Sequence, residues 1–390
     1  MIALGLIAAA WRDRPLTAAL HTLMMAAGVA VATALLLFSV QSDRRLAHDA
    51  RGIDLVIGAK GSPLQLVMAA VFHIDVPTGN IALADAQRIA ADPRVARAAA
   101  IGLGDSVRGW RIVGADAAFF ALHEAAPAIG RLPEAPMEAV IGADAARRLG
   151  LRPGDSFHGA HGLGEGGDHH DEDYTVVGVL AARGSVIDRL IVTPLESIWA
   201  THGAPAETAR EATAVLVRTK TPFAAMALKQ EVNTGTTMVA ARPPEEAARL
   251  FSLVGAGADA MRGFAVLLIG LAALSVFAGL LSLLRERRGD IALLRAMGAT
   301  RVTVFGALLG QGLATAALGA GIGIGLGHIA IEAFARMSSQ ARELGLTGLS
   351  AHPGEFVIVT AALGAGLLAA LIPAIGAYRV DVAQTLSEAP

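Results

Sequence analysis

The stretch GFAVLLIGLAALSVFAGLLSLL-RERRGDIALLRAMGATR, residues 263–301, decides how this chain is read. Residues 263–284 carry no charge and are long enough to cross a bilayer as a helix, which takes about 20 apolar residues. Residues 285–301 then hold five arginines (Arg285, Arg287, Arg288, Arg295 and Arg301) beside two carboxylates, Glu286 and Asp290. Arginines concentrated next to a span mark a cytoplasmic loop. Within the loop Ile291, Leu294, Met297 and Gly298 recur at helical spacing, which predicts a short helix with one apolar face. A cytoplasmic amphipathic helix between two spans suits docking onto a soluble partner. The competing reading is a solvated loop whose arginines only set topology.

Composition agrees with a membrane protein. The 390 residues are 54% hydrophobic with a mean hydropathy of +0.54, and charged residues make up 17% against roughly 25% in soluble domains. A formal charge of −2 and no basic, aromatic-interleaved patch give no sign of nucleic-acid binding. The absence of cysteine excludes disulfides, thiolate nucleophiles and cysteine-ligated zinc. Besides 263–284, three other stretches are long enough to span: 16–40, 302–333 and 356–378. The first has too long an apolar core for a signal peptide and reads as an uncleaved anchor. Arg12 and Arg14 before it, the 285–301 arginines and Arg379 after the last span put all three flanks in the cytoplasm. Arg336 and Arg342 run against that bias in the 334–355 loop. Residues 1–15 look like an interfacial helix ending at Trp11, and 379–390 form a cytoplasmic tail.

Residues 41–262 therefore lie outside the membrane. Val- and Ile-rich runs at 53–57, 111–114, 174–179, 190–193, 215–218 and 238–241 read as strands, while 84–91, 143–149 and 223–233 read as helices. Without regular βαβ spacing the class is α+β. From Glu245 the pattern turns helical again and leads into the second span, which predicts a stalk over 245–262 with Gly255 and Gly257 as its weak points. In the third span Gly319, Gly323 and Gly327, and Gly321 with Gly325, stand four residues apart. Such spacing lets helix backbones approach closely, within one subunit first and across a dimer second. Gln311, His328 and Glu332 are costly in lipid and should face protein or water; His328 and Glu332, one turn apart, hint at a proton or ion path.

Residues 285–300, after the second of four spans, resemble the coupling segment of MacB/LolC/FtsX-type ABC transporter permeases. The order of one span, a large outer domain and three further spans is similar to that family. So are Ala139-Val140-Ile141-Gly142 through Ala145, Leu149-Gly150-Leu151, Gly154-Asp155 and Tyr174–Val179. The resemblance implies a membrane α-helical fold of four transmembrane helices with a large α+β periplasmic domain inserted between TM1 and TM2, in a bacterial inner membrane. It implies a separate cytoplasmic ABC ATPase that holds ATP and Mg, a second permease subunit (homo- or heterodimer), and transmission of motion rather than passage of substrate through the bundle. The ATPase-coupling residues would be Arg285, Glu286, Arg287, Arg288, Asp290, Ile291, Leu294, Arg295, Met297 and Gly298. Arg287, Arg288 and Arg295 would meet acidic grooves, and Ile291, Leu294 and Met297 an apolar pocket. The cargo class would be a lipoprotein, lipid-linked molecule, peptide or hydrophobic compound. A regulator of a periplasmic enzyme, working through a periplasmic partner protein, is the alternative. The GAKGS run at 58–62 lacks the G-x4-G-K-[ST] spacing and reads as a turn after a strand, so no cofactor or catalytic residue is expected in this chain.

His158, His161, His169 and His170 fall within thirteen residues, among Asp168, Asp171, Glu172 and Asp173. Imidazoles and carboxylates on a Gly-rich loop suit zinc, with His158, His161, His169, His170 and Asp171 as ligands of a metal-linked transporter or sensor. The plainer reading is a polar hairpin connection between Phe157 and Tyr174.

Overall fold

The structure, a computed structural model, describes residues 11–162, 169–201, 210–338, 341 and 345–379. The chain divides into two units, Arg44–Leu253 and Met1–Asp43 with Val254–Pro390.

Among its described residues, the Arg44–Leu253 unit has twelve strands. The first six are β1 (Leu55–Ala59), β2 (Ile81–Ala82), β3 (Val95–Val107), β4 (Trp110–Ala115), β5 (Pro127–Gly130) and β6 (Glu138–Ile141). The rest are β7 (Ser156–His161), β8 (His169–Leu180), β9 (Ile191–Pro194), β10 (Glu211–Ala212), β11 (Ala214–Thr219) and β12 (Met238–Ala241). Ten of them form one sheet in the order β12-β1-β11-β3-β4-β9-β6-β8-β5, with β7 bridging β3 and β8. That bridge closes a ring of β3, β4, β9, β6, β8 and β7. The pairs β4–β9 and β6–β8 are parallel and the others antiparallel, so the sheet is mixed.

Strands β1, β11 and β12 are buried on both faces, which explains their unbroken apolar runs. Alternate side chains serve two cores. Val56, Leu216 and Val239 face one core with Leu66, Val67 and Phe119. Leu55, Ile57, Val215, Val217 and Ala240 face another with Ala225, Leu228 and Val232 of the helix Pro222–Gly235. A third cluster (Phe157, Tyr174, Ile112 and Ile191 among others) lies in the ring, where Phe157 and Tyr174 stack at 5.2 Å.

All six expected strands and all three expected helices are present; 238–241 and 143–149 fall as expected, and the ends of the others move by one to five residues. The 58–62 run does form a turn, and Ser62 caps the helix Pro63–Ala70 by accepting from the Gln65 N–H. Sequence reading missed β3. This thirteen-residue strand pairs with β11 through Val95–Ile101, with β4 through Ile101–Val107 and with β7 at Asp105 and Ser106.

Two histidines in this unit are withdrawn from water, His73 fully and His123 in part. His73 is buried, with neither ring nitrogen hydrogen-bonded, and its backbone sits at φ +57°. Burial first, then the charge of Arg111, pushes it well below the ordinary histidine range. Burial alone brings His123, packed on Phe119 at 4.5 Å, down to about 4.

Unfolded, His123 titrates near 6.5, so acid protonates the unfolded chain first. This stabilisation is complete above pH 6.5 and is lost as pH falls toward 4, a change of about 3 kcal/mol. Hydrogen exchange of residues 117–123 in the full chain should show protection decaying over that window. His123→Phe should make the profile shallower, the remaining slope coming from His73; a flat wild-type profile would contradict the account.

Among the described residues of the other unit, four helices are long and apolar enough to cross a membrane: Pro15–Asp49, Gly255–Glu286, Arg301–Met337 and Gly354–Tyr378. The second is the end of a helix that runs from Pro243 to Glu286 without a break at Gly255 or Gly257. The expected stalk helix thus begins two residues before 245. Gly319, Gly323 and Gly327 lie against the Pro15–Asp49 helix. A Cβ on them would sit 2.6–2.7 Å from Met25, Ala26, Val29 or Thr33. Gly312 and Gly366 make the same kind of contact between the third and fourth helices. Gly321 and Gly325 face open space. The packing reading of the 319/323/327 row therefore holds within one chain. Gly323→Leu should destabilise the detergent-solubilised full chain by about 1–3 kcal/mol through overpacking. Gly325→Leu should cost less than about 0.5 kcal/mol, and equal losses in thermal unfolding would refute the distinction.

Candidate functional site

The segment after Glu286 folds as the predicted short helix, Arg288–Ala296. Asp290 sits in its first turn and Arg295 in its last, each favourable for the helix dipole. Gly298, at φ +107°, ends it, and its N–H and that of Ala299 bond to the carbonyls of Arg295 and Leu294. Thr300 then caps the helix Arg301–Met337 through the Thr303 N–H.

The faces of this helix differ from the sequence expectation. Ala292 is fully buried, and Ile291 packs against the cluster of Val276, Leu280, Leu284, Val304 and Leu308. Leu294 and Arg295 are half-buried. The outward apolar pair is Leu293 and Met297, 54% and 69% exposed and one turn apart. Ile291 is thus an anchor to the bundle, and Leu293, which sequence reading passed over, belongs to the presented face. In the sequence the stripe through Ile291 and the 293/297 spacing are equally legible, and only packing tells the two faces apart.

The charges also sort into two groups. Glu286 pairs with Arg14 and accepts from the Ser282 hydroxyl at 2.9 Å, and Arg287 pairs with Asp13. Arg287 thus already has a partner within the chain while remaining partly exposed. The doublets Asp13-Arg14 and Glu286-Arg287 carry complementary charges, the signal that could have found the pairing. Arg301 stands over the Tyr378 ring at 5.7 Å, with Phe305 edge-on to the same ring. Arg285, Arg288, Asp290 and Gly298 are exposed. Beside the segment, Arg14, His21, Gln311 and Thr315 help line a cavity of about 40 Å³, enough for a water or two. Gln311 thus borders a small cavity shared with Arg14, His21 and Thr315.

The histidine tract is a hairpin of β7 and β8, in which His158 lies opposite Asp173 and Ala160 opposite His169. His158 Nε2 is 3.2 Å from Asp173, and His161 Nδ1 is 3.4 Å from the buried Asp105. The two imidazoles attend different carboxylates, and among the described residues no three metal-ligating side chains gather. Residues 163–168 and the side chains of His169, His170 and Asp171 lie outside the described residues.

Two family models match the chain. One, the FtsX-like permease C-terminal model, covers residues 262–381, and the other, the MacB-like periplasmic core domain, covers residues 18–235. The chain belongs to the MacB/FtsX-type ABC transporter permeases. Permeases of this type generally work with a cytoplasmic ABC ATPase and are normally not enzymes themselves. No curated protein matches the chain. Among solved structures, the periplasmic region of MacB from Actinobacillus actinomycetemcomitans is 13% identical at a TM-score of 0.35, covering 52% of this chain and 95% of that one. The extracellular domain of the noncanonic ABC-type transporter YknZ from Gram-positive bacteria is 14% identical at 0.31, covering 48% and 98%. A domain of a putative permease from Porphyromonas gingivalis is 18% identical at 0.28, covering 48% and 80%.

The two helix faces predict opposite consequences for one kind of substitution. Ile291→Asp buries a charge against the bundle and should cost about 3 kcal/mol or more, lowering the unfolding temperature in detergent. Leu293→Asp should leave that temperature within a degree or two. The reverse ranking would invalidate the assignment of faces.

Proposed function

We propose that this permease is the membrane subunit of an inner-membrane ABC transporter that works by mechanotransmission. The chain crosses four times, with the sheet unit on the periplasmic side between the first and second spans and residues 285–301 in the cytoplasm. A separate ATPase binds the 288–296 helix, and a second permease subunit completes the transporter. The handled molecule is a lipoprotein, a lipid-linked compound, a peptide or a hydrophobic compound met outside the bundle.

The observation that carries this reading is the Leu293–Met297 pair, exposed on a short helix whose other face is anchored. A compact docking site needs an aliphatic anchor inside a polar rim, and Arg285 and Arg288 supply the cationic part of that rim. Rim arginines of one sign favour an acidic partner surface and speed its approach. Movement of the docked helix reaches the bundle by two routes. One is the apolar contact of Ile291 and Ala292, and the other is the pair of ionic ties to residues 13 and 14. Exposed ion pairs contribute only about 0–1 kcal/mol each, so the apolar contact is the stiffer route.

Leu293→Asp and Met297→Asp should each weaken co-purification of the full-length permease with its co-expressed ABC ATPase by about tenfold or more. Membrane insertion and thermal stability should be unchanged. Undiminished ATPase recovery with both substitutions together would refute docking at this face.

A further inference from the structure

At the far end of the Arg301–Met337 helix, some 40 Å from Arg301 at 1.5 Å per residue, polar groups converge on the turn at 347–348. Gln41 accepts from the Thr347 N–H at 2.8 Å and donates to its carbonyl at 2.9 Å. Glu332 accepts from the Gly348 N–H at 3.0 Å, from the Thr347 hydroxyl at 3.3 Å and from Arg336 Nε at 2.9 Å. A Cβ on Gly348 would come within 2.1 Å of the His328 carbonyl, so only glycine fits there. His328 and Glu332, expected as a pair, instead hold this turn separately.

The His328 ring has a constrained proton count. Its Nδ1 lies 2.6 Å from the Gly348 carbonyl, and a carbonyl can only accept, so Nδ1 carries a hydrogen. In a neutral ring Nε2 is then a bare lone pair. That nitrogen faces Glu355 Oε2 at 3.3 Å, and the other Glu355 oxygen already accepts from the His352 N–H at 2.7 Å. A lone pair and a carboxylate cannot bond to each other. The contact requires one additional proton, held as imidazolium–carboxylate or as imidazole–carboxylic acid. The two side chains are only 19% and 11% exposed, so solvent screens the pair little.

We propose that His328 and Glu355 form a proton-binding latch. One shared proton joins the 301–337 helix to the start of the 354–378 helix, and its release to solvent leaves a lone pair against a carboxylate and frees the turn at 345–355. Among the described residues, the other charged or titratable groups facing this site are Glu332 and Arg336 from the same helix, engaged with each other and with the turn, and His352. His352 Nδ1 accepts from the Gly354 N–H at 3.0 Å. The Pro15–Asp49 helix contributes the neutral Gln41. Arg342 and Glu343 lie outside the described residues. The latch does not depend on the ATPase-docking reading, and the bundle would respond to pH on whichever side of the membrane this end faces.

Hydrogen exchange of residues 345–355, measured on the full chain in lipid nanodiscs and corrected for intrinsic rates, tests it. Wild-type protection should fall about tenfold between pH 5.5 and 8.5. Glu355→Gln supplies its own N–H to the His328 lone pair, so its protection should stay high and independent of pH. As a second readout, the ¹⁵N-histidine signal assigned to His328 by its absence in His328→Gln should show a hydrogen-bonded Nε2 where protection is high and a bare lone-pair Nε2 where protection is lost. Equal pH dependence in wild type and Glu355→Gln, or undiminished wild-type protection at pH 8.5, would overturn the latch.

Discussion

Backbone contact between the third apolar helix and the first is the constraint on which the helical unit rests. Lipid gives two apolar helices no hydrophobic reason to associate, so their attraction comes from close van der Waals packing. Gly319, Gly323 and Gly327 supply it by removing every Cβ from the contact row against Met25, Ala26, Val29 and Thr33. Gly312 and Gly366 do the same between the third and fourth helices. A bundle packed backbone to backbone has little room to deform at its middle. Its ends are therefore where chemistry can act.

The two ends are built differently. At the end carrying residues 285–301, apolar burial of Ile291 and Ala292 does the holding, and ion pairs with residues 13 and 14 add direction more than energy. At the other end the connection between the third and fourth helices adds to a small apolar cluster of Leu37, Ile331, Ala335, Ala341 and Leu346 a set of hydrogen bonds from Gln41, His328, Glu332 and Glu355. Apolar contact is indifferent to pH, whereas a polar clasp that includes a histidine and a carboxylate is not. The polar side chains that looked expensive in lipid are thus each accounted for: Gln311 at a small cavity, His328 and Glu332 at the 347–348 turn.

In the sheet unit, legibility followed burial. Strands β1, β11 and β12 are covered on both faces over most of their length, so apart from Arg218 and Thr219 at the end of β11 their residues are apolar or glycine, and the runs stood out. β3 escaped because Val95–Val107 contains four alanines, two glycines, Arg97 and Asp105, a composition with weak strand preference. Its conformation comes from three neighbouring strands, which a local pattern cannot contain. The closure of the ring by β7 is of the same kind, since only two residue pairs join it to β3.

The sequence alone determined four apolar helices, the placement of the sheet-forming residues between the first and second, the short helix after Glu286 and the membership of a permease family. Each of these follows from length, period or a contiguous motif, which are local properties of the chain. Only the tertiary structure decided that Leu293 rather than Ile291 faces outward, that Arg287 is already paired, and which glycine row is occupied. A helix offers several stripes of similar composition, and which of them is buried depends on what packs against it. The same holds for the proton at His328, because its need arises from a carbonyl twenty residues away and a carboxylate twenty-seven away.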